Sequence, residues 1–472
     1  MYAHVSRRRR FGAAAGLLAL AVLAGACDDD ATGVRGTPGA AGLRDPYFQK
    51  LGNGGYDVRH YDLTLAYDPA SGRLDGSAAI TARATQDLSA FNLDLAGLTV
   101  TGARVNGATA AQNRAGDELT IRPHDDLREG DEFTVDITYS GVPEPVTDAD
   151  GSKEGWLRTD GGAVAVGEPT GSMTWFPGNH HPSDKATYDI RLTVPAGLEA
   201  LSNGVRSELR TDPDGRVTSV WHTAEPMASY LATVAIGRYD TASATGPGSL
   251  PVLTAAEPSV AKASAALRGE IPEILSRQVK RFGPYPFSAA GATVTEDGTL
   301  GYALETQTRP VFPAASFDRT TLVHELAHQW FGNSVTPETW KDLWLNEGFA
   351  TYAEWLYTEE YEDVPAQSHF DRAYAQDANW AFPPADPPAA ENLFDPPVYQ
   401  RGAMVLHQLR ETVGDEAFDE ILQGWPAKYR HANASTEDFT AYAESVAGAD
   451  LKEELDELWK VWLYGDGKPA KP

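Results

Sequence analysis

The chain has 472 residues, 42% of them hydrophobic and 10% aromatic, which is enough for two or three domains with a large packed core. Its formal charge of −28 repels nucleic-acid phosphate and anionic lipid, and so argues against a polyanion partner. Cys27 is the single cysteine, so no disulfide can close within the chain and no zinc can be held by a set of thiolates.

The first residues read as a targeting segment. Arg7 to Arg10 form a positive stretch, and Phe11 to Ala24 is apolar but too short for a membrane span. Leu23-Ala24-Gly25-Ala26-Cys27 resembles a bacterial lipoprotein signal, with residues 1–26 removed and Cys27 carrying lipid outside the cytoplasm. The run from Ser6 to Phe11 resembles a twin-arginine export signal, and an ordinary cleaved signal with an incidental cysteine is the alternative. Residues 27–50 are rich in Gly, Ala and Asp without periodicity, and read as a flexible tether.

From 51 to 245 the pattern has period two. Tyr61, Leu63, Leu65 and Tyr67 alternate with polar neighbours, as do Phe133, Val135, Ile137 and Tyr139, and Tyr188, Ile190, Leu192 and Val194. With turn signals such as Asn106-Gly107 and Asn203-Gly204, this predicts a mostly antiparallel β domain with one face buried. From 246 to 472 the period becomes helical. Ile271, Ile274, Leu275, Val279 and Phe282 share a face that ends at Gly283-Pro284, and Ser435 with Asp438 marks another helix start. A few strands are expected around 292–312. The fold class is therefore α+β and multidomain.

The decisive segment is His324-Glu325-Leu326-Ala327-His328, preceded by Asp318 as a candidate N-cap. On a helix, residues four apart share a face, so both imidazoles point to one metal. Glu325 stands between them, placed to reach the attacking water rather than the ion. A catalytic zinc takes three protein ligands and keeps a fourth position open. Glu347, in Asn346-Glu347-Gly348-Phe349-Ala350 on the next predicted helix, supplies the third. The expected cofactor is one Zn2+ per chain. His180, His181 and His407 read as surface or packing residues.

These motifs resemble the zinc aminopeptidase family that includes aminopeptidase N and leukotriene hydrolase. Trp175-Phe176-Pro177 and Asp184-Lys185-Ala186-Thr187-Tyr188 resemble its N-terminal β domain, which in the family packs on a thermolysin-like catalytic domain. The resemblance implies removal of the first residue of peptides that have a free N-terminus. Gly301-Tyr302-Ala303-Leu304-Glu305 occupies the place of the family's Gly-Ala-Met-Glu-Asn segment, with Tyr302 where the family has Gly. It implies that Glu305 holds the substrate amine, with Tyr302, Ala303 and Leu304 beside it, and that the segment is an edge strand able to pair with a peptide. Glu168, nine residues before Pro177, stands where the family places a second amine-binding group. Tyr399, before Arg401-Gly402, matches the family's oxyanion tyrosine. Leu458 to Tyr464 resembles the end of the family's catalytic domain, which implies an open cleft and no C-terminal helical domain. A zinc endopeptidase, an epoxide hydrolase of the leukotriene type and an inactive binding module are the rival readings.

Overall fold

The computed structural model describes residues 35–147 and 151–471. The export signal and Cys27 lie outside the described residues. Among the described residues no helix is long and apolar enough to cross a membrane.

The alternating segments form strands because every second side chain reaches one face. In Tyr56–Asp68, Arg73–Ala84, Glu132–Gly141 and Lys185–Val194 the inward residues are almost all buried while their neighbours are open or half-open. These four are the middle of an eight-stranded sheet. Val217–Ala228 and Val205–Thr211 extend it on one side, Thr99–Val105 and Ala108–Thr109 on the other. Only the pair Tyr56–Asp68 and Lys185–Val194 is parallel. Asn106 and Gly107 both take positive φ, 50° and 78°, the hairpin geometry that suits an Asn-Gly pair. A second sheet of short strands includes Lys153–Arg158, Ala163–Val166 and Val234–Gly237, and its middle strands are buried on both faces.

The second half has its own sheet, in which Pro251–Ala256, Ala290–Thr295 and Val311–Pro313 run parallel. Around it lie helices α1 (Pro258–Phe282), α2 (Arg319–Ala327), α3 (Trp344–Tyr361), α4 (Ala366–Ala375), α5 (Gly402–Val413), α6 (Asp415–Lys428), α7 (Thr436–Ala447) and α8 (Lys452–Leu458). The predicted boundaries of α1 and α7 hold: Gly283 ends α1, and the Ser435–Asp438 capping box opens α7. One continuous apolar core runs through both halves, from Leu51 to Leu463. Lys185 crosses from the β half to donate to the carbonyls of Asn333 (3.0 Å) and Ser334 (2.9 Å), in the turns that follow α2.

Three expectations are corrected. Residues 35–50 are not a flexible tether. Thr37–Pro38 pairs with the strand Leu88–Asp94, the Asp45 carboxylate accepts from Trp340 N (2.9 Å), and the Tyr47 hydroxyl donates to the Pro387 carbonyl (2.7 Å). Low hydrophobicity hid these contacts, because they are made by backbone and polar groups. The β domain stops short of 245, since Asp240–Thr245 pairs with Pro251–Ala256 and joins the second sheet. Residues 301–305 form no regular strand: one bridge, Leu304 to Val311, is all that pairs them. His180, His181 and His407 are buried packing residues, His180 lying edge-on to Phe176.

Candidate active site

Asp318 caps α2 by accepting from Thr321 N (3.0 Å), which sets the phase of the helix so that His324 and His328 face inward together. Each imidazole is then fixed by its Nδ1. His324 Nδ1–H donates to Glu354 Oε1 (2.7 Å), and His328 Nδ1–H donates to the Phe331 carbonyl (3.0 Å). Both Nε2 lone pairs are left to face Glu347, in the first turn of α3, at 3.2 Å and 3.5 Å from its Oε2. Tetrahedral zinc with bonds of about 2.0–2.1 Å holds its ligand atoms about 3.3 Å apart, so the three residues fit the ion. Charge supports the same fit. Burial resists ionisation of Glu347, but the two histidines outweigh it and hold its carboxyl down at about 2. Burial lowers His328, yet Glu305 and Glu347 outweigh that and push it up to about 9. A buried cluster that draws protons onto its imidazoles is short of positive charge, and a divalent cation supplies it.

Glu325 is 5% exposed, and its carboxyl oxygen lies within 4.8 Å of ligand atoms of His328 and Glu305. Burial pushes its carboxyl up to about 8, against the pull of the two histidines. A carboxyl poised near neutrality can both take and return a proton.

Helices α3 and α5 cross at a glycine pair. A Cβ on Gly348 would meet backbone atoms of Gly402 at 3.0 Å, and one on Gly402 would meet the Gly348 Cα at 3.0 Å. This close approach brings the turn Pro397–Arg401 onto the metal ligands. Arg401, fully buried, anchors that turn by donating to the carbonyls of Trp462 (2.9 Å) and Phe382 (3.2 Å). The Tyr399 ring consequently stacks beside His324, centroids 6.2 Å apart. Burial and then Glu347 raise its phenol well above the usual value, so it stays a hydrogen-bond donor.

Glu168 and Glu305 approach from opposite halves of the molecule. Carboxyl oxygens of Glu168, Glu305 and Glu347 all lie within 4.8 Å of one another. Glu305 is 2% exposed and Glu168 6% exposed, and Oε1 of each makes no hydrogen bond within the protein. Burial and mutual repulsion raise the Glu168 carboxyl well above its usual range. Such a pair is unsatisfied until a cation arrives.

His324, Glu325, His328, Glu347, Tyr399, Glu168, Glu305, Tyr302, Ala303 and Leu304 all line one cavity of about 490 Å³. Sequence reasoning missed the groups that hold them. Glu354 lies seven residues after Glu347, two helical turns along the same face, and that spacing could have found it. The amides of Gln329 and Asn333 both donate to the Glu305 carbonyl, at 3.0 Å and 2.7 Å. Glu154, with no exposed surface, accepts from Thr170 N, Thr170 Oγ1 and Gly171 N and so fixes the loop that carries Glu168. No motif marks those three.

The sequence matches the model of the Peptidase M1 N-terminal domain over residues 58–231 and that of the Peptidase family M1 domain over residues 314–462. It is 28% identical to aminopeptidase M1-A of Oryza sativa subsp. japonica over 87% of this chain and 50% of that protein. It is 25% identical to glutamyl aminopeptidase of Rattus norvegicus over 87% of this chain and 47% of that protein. The chain thus spans about half the length of the curated relatives it matches. The fold superposes on an M1 zinc metallopeptidase from Deinococcus radiodurans with a TM-score of 0.84 and 31% identity, covering 91% of this chain and 98% of that one. The same score, at 30% identity, is reached against a form of that enzyme with a Tyr-Ser-Ala substrate bound, over 91% and 99% of the two chains. A likeness that runs through both halves, end to end along a solved structure, shows that the chain belongs to peptidase family M1.

Proposed function

We propose that this protein is a zinc aminopeptidase that cleaves the first residue from peptides with a free N-terminus. The observation that carries this reading is the distance between its two kinds of site. Carboxyl oxygens of the paired Glu168 and Glu305 stand within 4.8 Å of a carboxyl oxygen of the metal ligand Glu347. An ammonium held there leaves room for one residue before the metal, so the bond presented for cleavage is the first.

His324, His328 and Glu347 would hold one zinc ion, which supplies a Lewis acid for the scissile carbonyl and lowers the pKa of the attacking water. Glu325 removes the proton from that water and delivers it to the leaving amine. Tyr399 donates its phenol hydrogen to the oxygen on which negative charge develops. Glu168 and Glu305 fix the ammonium; Gln329 and Asn333 hold the Glu305 backbone and Glu154 the loop that carries Glu168 before substrate arrives, so little reorganisation is left to the reaction. An M1 zinc metallopeptidase seen with the tripeptide Tyr-Ser-Ala supports a short peptide as substrate.

The test is a set of aminoacyl fluorogenic amides, each free and N-acetylated, with and without a zinc chelator. Free amines should be cleaved and acetylated ones spared, and chelation should abolish turnover. Equal cleavage of acetylated peptides would make the protein an endopeptidase and refute the proposal. From the sequence alone we also propose that the mature protein is held outside the cytoplasm by lipid on Cys27. A mass spectrum showing Cys27 unmodified, or a mature start beyond it, would overturn that.

A further inference from the structure

The amine carboxylates account for the first nitrogen of the substrate but not for the side chain beside it. Among the described residues that line the cavity, the charged groups are five glutamates, Glu168, Glu305, Glu325, Glu347 and Glu354, with two histidines. No lysine or arginine is among them. Glu168 and Glu305 take up the substrate ammonium and Glu347 the metal, so no cation of this described lining is left over to pair with a carboxylate on the substrate side chain, and the buried Glu154 lies close enough to Glu168 to repel it. The rest of the wall is uncharged: small residues, Leu304 and three aromatic rings. The Tyr302 hydroxyl donates to the Lys153 carbonyl (3.3 Å), which pins the ring at the rim, while the Lys153 side chain is exposed and not part of the wall. Phe394 is 37% exposed although it lines the same cavity as the metal ligands, which makes it an open apolar ring.

We propose that this wall selects the first residue of the substrate by charge: it admits uncharged and basic side chains against Tyr302 and Phe394, and excludes aspartate and glutamate. The inference rests on the aminopeptidase reading and names the substrate class within it. A carboxylate entering here would lose water and meet no lysine or arginine among the described lining residues. It would also enter a lining whose charged side chains, the two histidines apart, are all acidic, so the selection works through repulsion. The name glutamyl aminopeptidase, carried by several relatives, therefore does not transfer to this chain.

Glutamine and glutamate have the same shape and differ in charge, so they make the test. The zinc-loaded protein is assayed with Gln, Glu, Leu, Phe and Arg coumarin amides near pH 7.5. One added like charge about 6 Å from an uncompensated carboxylate, at an effective dielectric constant near 20, is on the order of a hundred-fold. We expect kcat/KM for Gln to exceed that for Glu by roughly this factor. Placing a cation in the wall, by Ser152→Lys or Phe394→Lys, should narrow the gap at least fivefold by raising the Glu value. Glu cleaved as well as Gln in the parent, or a gap unmoved in both variants, would overturn the proposal. Failure to cleave any of the five amides would instead overturn the aminopeptidase reading.

Discussion

Glu354 offers a measurable test of how the metal ligands are held. Its Oε1 lies 2.7 Å from His324 Nδ1, with the two side chains 20% and 11% exposed. That carboxylate fixes the tautomer that points Nε2 at the metal, and it makes the imidazole a better base. Glu354→Ala removes both effects. A charge-assisted hydrogen bond in a mostly buried site contributes about 1.5–3 kcal/mol, which matches the roughly 10–100-fold loss of metal affinity seen when such partners are removed. Glu354→Gln keeps an acceptor for Nδ1–H and loses only the charge, so its loss should be smaller, about tenfold or less. The assay is competition for zinc against a chromogenic chelator, followed by turnover at saturating zinc. Affinity should fall in the order parent, Gln, Ala, with kcat less affected than affinity. A Glu354→Ala protein that binds zinc as tightly as the parent would show that His324 is oriented by its helix alone, and the reasoning would fail.

Glu325→Gln should retain zinc and lose at least about a hundred-fold in kcat, because the ligands are untouched while the proton carrier is gone; turnover near the parent value would remove it from the mechanism. Glu305→Ala and Glu168→Ala should each lower kcat/KM for free-amine substrates by roughly 10–100-fold, the worth of a hydrogen bond to a charged group. If cleavage of free amines stayed unchanged in Glu305→Ala, the exopeptidase argument would lose its support. Asp184 tests the β half through pH. Burial, with Asp57 nearby, raises its carboxyl to about 8, while it accepts from Asn179 Nδ2 (2.6 Å) and Val58 N. The folded state therefore keeps a proton that the unfolded chain releases near pH 4, and this group lowers stability as pH rises from about 4 to 8. Asp184→Asn removes that titration, so its Tm should drop less than the parent's between pH 5 and 8; parallel curves would count against the raised value.

The metal site was legible because its information is local. His324 and His328 are one helical turn apart, Asp318 caps the same helix, and Glu347 sits in a helix of its own with recognisable neighbours. Spacing along a regular helix fixes direction, so such residues can be read without knowing the fold. The period-two strands were legible for the same reason, since alternation with a buried face needs no partner to be seen. Where the residues of one site come from distant segments, only tertiary structure could decide. Glu168 and Glu305 are 137 positions apart in sequence, and only the packing of the β half on the catalytic half puts their carboxylates side by side. The Gly348–Gly402 crossing that brings Tyr399 to His324, and the docking of residues 35–50 through Asp45 and Tyr47, have no periodic signal either. The sequence by itself determined which groups could bind the metal and which faces had to be buried, because helices and strands repeat over a few residues. The carboxylate pair next to the metal ligands, and a cavity lining with no lysine or arginine among the described residues, were decided by the fold, because a buried cluster of like charges depends on contacts between segments far apart in the chain.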